Sequence, residues 1–153
     1  MATRIKPATA QLYERDFYAW AKAQAELLRA GQYSDLDLEH LIDEVDDLGE
    51  SLKRSARSRI RTIIEHLLKL EHSPARDPRA GWYDTILAQR SDLADELTAS
   101  IRREVEPALA ELYDRARQTA AASLRNHGER AAADALPQAC PYTLDQITNE
   151  WLP

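Results

Sequence analysis

The 153-residue chain has four glycines, one cysteine, one methionine and one phenylalanine. Four glycines supply little material for hairpin turns, which argues against an all-β fold. One cysteine, Cys140, excludes an intramolecular disulfide and any cysteine-based zinc site. No stretch approaches the 18 consecutive apolar residues of a membrane span, and the first eleven residues hold no apolar signal core. The expectation is a protein without a membrane segment, working in the cytoplasm, where a lone thiol stays reduced. Phosphate-loop, dinucleotide, H-E-x-x-H and G-x-S-x-G motifs are absent, so the enzyme classes they define are not indicated and no cofactor is implied.

Present in excess are alanine and leucine, 25 and 20 residues, against 11 that are valine, isoleucine or phenylalanine. Alanine and leucine lose little on entering a helix, and β-branched residues lose more, so the balance favours helix. Helical periodicity runs from about Thr9 to Ala30, with Tyr13, Phe17 and Trp20 as a core stripe and Gly31 as the terminating glycine. A second apolar phase holds from Leu38 through Val45, Leu52, Ile60 and Leu67 to Leu70, starting at Ser34 or Asp37 and ending at Ser73-Pro74. Unbroken, that helix measures about 54 Å. A compact globule of this chain length is only about 38 Å across, from a radius of gyration of roughly 15 Å. A kink near Gly49, an elongated bundle or a second copy over the overhang would each accommodate it.

Further helices are expected from about Trp82 to Thr98 and from about Ser100 to Arg125, the latter kinked or restarted by Pro107. Thr143-Leu-Asp-Gln146 forms a capping box that opens a short last helix. The expected architecture is one all-α domain over 1–153: an antiparallel bundle of four main helices plus a short C-terminal one, with residues 1–8 as a flexible N-terminus.

Net charge is −6, which disfavours a general nucleic-acid binder, but the charges are segregated. Asp35 to Glu50 holds eight acidic residues and no Lys or Arg, whereas Lys53, Arg54, Arg57, Arg59 and Arg61 follow without an acid. Two copies laid antiparallel would match acid to base, while a phosphate ligand on 53–61 would face repulsion from the neighbouring acid run. His40, Asp43, Glu44 and Asp47 stand at i, i+3, i+4 and i+7, a spacing that could present a metal shell. That side is nearly opposite Leu38, Val45 and Leu52, so it is expected to face solvent. The di-iron Glu-x-x-His pattern is missing. Candidates for acid/base chemistry are His66, Arg90 and Glu44, with no partner identified for them.

Six ordered blocks carry a resemblance. They are Asp16-Phe17-Tyr18-Ala19-Trp20, Leu27-Leu28-Arg29-Ala30-Gly31, Leu36-Asp37-Leu38 with Glu44 to Gly49, His66 to Lys69, Trp82-x-x-Thr85-Ile86-x-x-Gln89-Arg90, and Cys140 to Thr143. In order and spacing this resembles the bacterial domain-of-unknown-function family 29, from about Tyr13 to Pro153. Leu70 and Ala99-Ser100-Ile101 depart from the family pattern. The resemblance implies a helical bundle and supplies no activity. The family's recurring polar positions fall here on Asp16, Asp37, Glu44, His66, Lys69, Thr85, Gln89, Arg90 and Tyr142, as interhelical hydrogen-bond glue or as a site. The expected function is a helical interaction module that binds a protein partner or itself. Alternatives are a metal-dependent or acid/base enzyme with its site on the second helix, and nucleic-acid binding through 53–61.

Overall fold

The structure is a computed structural model and describes residues 9–153; the expected flexible N-terminus, 1–8, lies outside the described residues. It is all-α, with no strand among the described residues. The residues group into two compact units that divide between Glu50 and Ser51.

The first unit contains α1 (Ala10–Arg15), α2 (Phe17–Arg29), a 3₁₀ turn (Tyr33–Asp35) and the first part of α3 (Leu38–His72). One helix was expected over 9–30, and two are found. Asp16 leaves the helical region (φ −154°, ψ 82°), and its carboxylate accepts a hydrogen bond from the Ala19 N–H at 3.0 Å. An aspartate that can cap a new helix competes with continuing the old one. At the other end Gly31 takes φ +70°, as expected of the terminating glycine. The Gln32 N–H closes back onto the Leu27 carbonyl and the Gly31 N–H onto Leu28.

α3 is helical throughout, Gly49 included. In the second unit its later turns supply Ala56, Ile60, Ile63, Ile64, Leu67 and Leu68 to the core, all fully buried. Packed in that core are Ile86 and Leu93 of α4 (Arg79–Glu96), and Leu112, Ala116, Ala120 and Leu124 of α6 (Leu109–Asn126). Pro107 sits in a 3₁₀ turn (Glu106–Ala108) that separates α5 (Ala99–Val105) from α6. Proline lacks the N–H that a continuous helix requires, so the expected long fourth helix restarts there.

Gly128, at φ +80°, ends α6 and leads into α7 (Arg130–Asp134), a short helix that periodicity does not reveal. The capping box is formed as expected at the start of α8 (Leu144–Thr148). Thr143 Oγ1 accepts from the Gln146 N–H at 3.2 Å, and Gln146 Oε1 accepts from the Thr143 N–H at 2.9 Å.

Candidate functional site

The first turns of α3 carry two different flanks. One begins at Asp37, a residue only 4% exposed. Its Oδ2 accepts from the indole N–H of Trp20 at 3.1 Å and from His40 Nδ1 at 2.7 Å. A carboxylate has no hydrogen to give when ionised, so His40 carries its proton on Nδ1. Burial alone would push the Asp37 carboxyl up. The hydrogen bonds from the His40 ring, Trp20 and the His40 backbone outweigh it and hold the carboxyl below its usual 3.8. The Asp37 N–H in turn donates to Gln24 Oε1 at 2.8 Å, and Gln24 Nε2 donates to Thr9 Oγ1 at 3.0 Å.

Tyr13 completes this flank. Its ring stacks on His40 at 3.9 Å between centroids and meets Trp20 edge-on at 5.0 Å. Its hydroxyl donates to Glu44 Oε1 at 2.5 Å, and that bond to a carboxylate, with smaller help from burial, pushes the phenol up to about 12. The polar groups of the flank are therefore mutually satisfied. Their arrangement fixes α1 and α2 against the start of α3.

The other flank is apolar and uncovered. Leu38, Ile42, Val45 and Leu48 are between 38% and 65% exposed, and Leu41 is half-buried beside them. In the second unit Leu52, next in phase, is also exposed. In heptad terms Leu38 and Val45 occupy one seam position and Leu41 and Leu48 the other, with Ile42 alongside. The acidic side chains Glu39, Asp43, Asp46, Asp47 and Glu50 stand off the seam, on the exposed remainder of the helix. Isolated exposed leucines are ordinary, but a run of them along one helix is a mark of an interaction surface.

This reverses the expected orientation of the half-helix. Leu38 and Val45 were expected inward and the side bearing His40 to Asp47 outward. Instead His40 and Glu44 meet the aromatics of α1 and α2, while the leucines look out. The physical reason is that periodicity fixes the phase of a stripe and not which flank a neighbour covers. Here the neighbour is held by hydrogen bonds to Asp37 and Glu44 on the polar side. Phe17, expected in the core stripe with Tyr13 and Trp20, is half exposed as well, whereas Trp20 is buried.

Of the metal-shell candidates, His40 is engaged by Asp37 and Glu44 by Tyr13, while Asp43 and Asp47 are exposed. Among the described residues no group of three or more His, Cys, Asp or Glu side chains is placed to hold a metal ion. Sequence reasoning marked Asp37 as a helix start and a polar position of the family, and Tyr13 as core, but did not identify Trp20, His40 and Glu44 as their partners. The signal available was Asp37 directly before the apolar phase, with Trp20 in the preceding helix.

In the second unit the acid/base candidates have separate structural partners. His66 Nδ1 lies 2.8 Å from the Thr62 carbonyl of its own helix and so donates to it. Arg90 is 8% exposed and works as a clamp. Its Nε donates to the Ile147 carbonyl at 2.9 Å, and its Nη2 donates to Gln146 and Trp151 at 2.8 Å each. It thereby satisfies carbonyls at the end of α8 that the helix itself leaves open. Burial lowers its pKa from the usual guanidinium value.

Two of the five cations of the basic segment are committed. Arg57 pairs with Glu111 at 3.0 Å, and Arg59 pairs with Asp92 at 2.7 Å and Glu96 at 3.0 Å. Cations already neutralised within the unit are poor ligands for phosphate or for the acid run of another copy. No helix among the described residues is long and apolar enough to cross a membrane.

Residues 12–152 match the family described as "Domain of unknown function DUF29", and the chain belongs to it. The match spans nearly all of the chain and brings no activity with it. No curated protein and no solved structure matches the chain.

Proposed function

We propose that this DUF29 member is a cytoplasmic protein-interaction module that self-associates through the exposed apolar seam of α3. The observation that carries the proposal is the uncovered run of Leu38, Ile42, Val45 and Leu48 along one helix. Behind it, the bonds that Trp20 and Tyr13 donate to Asp37 and Glu44 already occupy the polar flank, which leaves the seam as the free face.

A second copy suits the seam because its spacing is self-complementary. Around a two-fold axis level with Asp43, an antiparallel copy sets Leu38 against Leu48 and Leu41 against Val45, and each pair is then repeated by symmetry. Antiparallel helices pack such alternating seam positions in this way. The apolar register supports the pairing better than the expected match of acid to base, since Arg57 and Arg59 are already held by Glu111, Asp92 and Glu96. The lone thiol of Cys140, half-buried with no partner cysteine, accords with a reducing compartment.

Sedimentation equilibrium tests this. The wild-type chain should approach twice the 17.4 kDa monomer mass as concentration rises, and Val45→Glu should remain monomeric with unchanged helical circular dichroism. A wild-type chain that stays monomeric at high concentration contradicts the proposal.

A further inference from the structure

Apart from the α3 seam, the second unit holds a cleft of about 670 Å³. It lies among the end of α3 (Lys69), the loop into α4 (Asp77), Trp82 of α4, and the end of α6 with the turn that follows (Leu124, His127, Glu129). Its volume is within the range of about 300 to 1,000 Å³ common to small-molecule sites. The indole of Trp82 and the side chain of Leu124 give it an apolar body.

The polar lining is one-sided in its chemistry. Lys69 is 7% exposed, and its ammonium donates to Glu65 Oε1 at 2.6 Å, so its charge is balanced within the unit. His127 Nδ1 lies 2.8 Å from the Ser123 carbonyl, which can only accept. Nδ1 therefore carries a proton and is taken up by that carbonyl. The carboxylates of Asp77 and Glu129 make no hydrogen bond or ion pair among the described residues, and Glu129 Oε2 is buried without a partner. A buried carboxylate oxygen without a donor is costly to leave so. The cleft thus offers two carboxylates without an ion partner, and its one ammonium is already paired with Glu65.

From this we infer that the cleft binds a small organic cation, an ammonium or guanidinium carried on an apolar or aromatic body. The cationic group would be met by Asp77 and Glu129, and the body would lie against Trp82, whose face attracts cations as well as rings. An anion of the same shape would find the Lys69 ammonium already paired with Glu65. A neutral molecule would leave both carboxylates unpaired.

Nuclear magnetic resonance titration of the full chain tests the inference with three probes of one skeleton: phenethylamine, phenylacetate and 2-phenylethanol. The readout is the indole N–H signal of Trp82, identified by its loss in Trp82→Phe. Phenethylamine should shift it saturably, and the two other probes should bind at least roughly ten-fold more weakly, as expected for one charge-assisted hydrogen bond. Asp77→Asn and Glu129→Gln should each weaken phenethylamine by a similar factor. Asp77 is an exposed loop residue, so its variant keeps the test open if Glu129→Gln does not fold. Absence of a saturable shift with phenethylamine, equal binding of phenylacetate or 2-phenylethanol, or unchanged binding in Asp77→Asn would overturn the inference.

Discussion

The indole N–H of Trp20 donates to Asp37 Oδ2 across 3.1 Å, with both residues almost wholly buried in the first unit. This bond ties α2 to the start of α3 and leaves the leucines of that helix on the outside. Trp20→Phe keeps an aromatic ring, though a smaller one, and removes the donor, and Asp37→Asn keeps the shape and removes the charge. Each should destabilise the chain by about 1 to 3 kcal/mol, the cost of a buried polar group losing its partner. Urea unfolding monitored by circular dichroism checks both values.

Strong acid should weaken this bond. The Asp37 carboxyl is held below its usual 3.8 in the folded chain. Its contribution is therefore complete above the unfolded value and is lost as pH falls through the lower, folded value. Below about pH 4 the wild type should lose stability more steeply than Asp37→Asn, as read from urea midpoints across pH 2 to 6. Parallel slopes for the two proteins would show that Asp37 is not responsible.

Alkali should act through the tyrosines, with the opposite sign. Tyr13 and Tyr113 are each pushed up to about 12, Tyr13 by its bond to Glu44 and Tyr113 by burial. Burial, together with its hydrogen bond to Glu71 at 2.7 Å, also raises Tyr142. A raised folded value means stability that is whole below the unfolded value near 10 and lost as pH rises toward the folded one. Thermal midpoints should therefore fall above pH 10, and Tyr142→Phe should flatten that fall. At neutral pH the same substitution should cost about 1 kcal/mol for the lost hydrogen bond.

Arg90 should behave as a structural clamp. Arg90→Met leaves the carbonyls of Gln146, Ile147 and Trp151 without their donor. A loss of roughly 2 to 4 kcal/mol is expected, with faster amide exchange concentrated in residues 144–151. Arg90→Lys should recover only part of it, because an ammonium cannot reproduce the planar fork that reaches several carbonyls at once.

Salt dependence separates two forms of self-association. If acid matched base between copies, added salt would weaken the dimer. With the apolar seam in register, Glu39, Asp43, Glu44, Asp46, Asp47 and Glu50 of both copies come near one another, with no Lys or Arg among residues 38–50. Screening should then strengthen association. Raising salt from about 0.05 M to 0.5 M cuts the screening length severalfold, and the dissociation constant from sedimentation should fall.

The parts of the fold that were legible in the sequence are those set by local chemistry. The apolar phase from Leu38 to Leu70 marked the helical stretch of α3 while leaving its continuity through Gly49 open, Gly31 marked a helix end, and Thr143 with Gln146 marked the start of α8. What stayed hidden depends on distant partners. Asp16 could continue a helix or cap a new one, and nothing in its neighbours decides between them. The uncovered face of α3 was misread because Leu38, Val45 and Leu48 look like core residues until Trp20 and Tyr13 are found on the adjacent flank. Arg90 was singled out as a candidate, yet its partners lie 56 to 61 residues away in the chain, beyond any spacing rule.

The central claim, an antiparallel pair of α3 seams, is tested most directly by mixed disulfide trapping. Leu38→Cys and Leu48→Cys are made separately, each with Cys140→Ser, mixed in equal amounts and oxidised. The account predicts a covalent dimer between the two different variants, because Leu38 of one copy faces Leu48 of the other, and little product from either variant alone. No covalent product from the mixture, or self-linking of each variant as efficient as the mixed product, would contradict it.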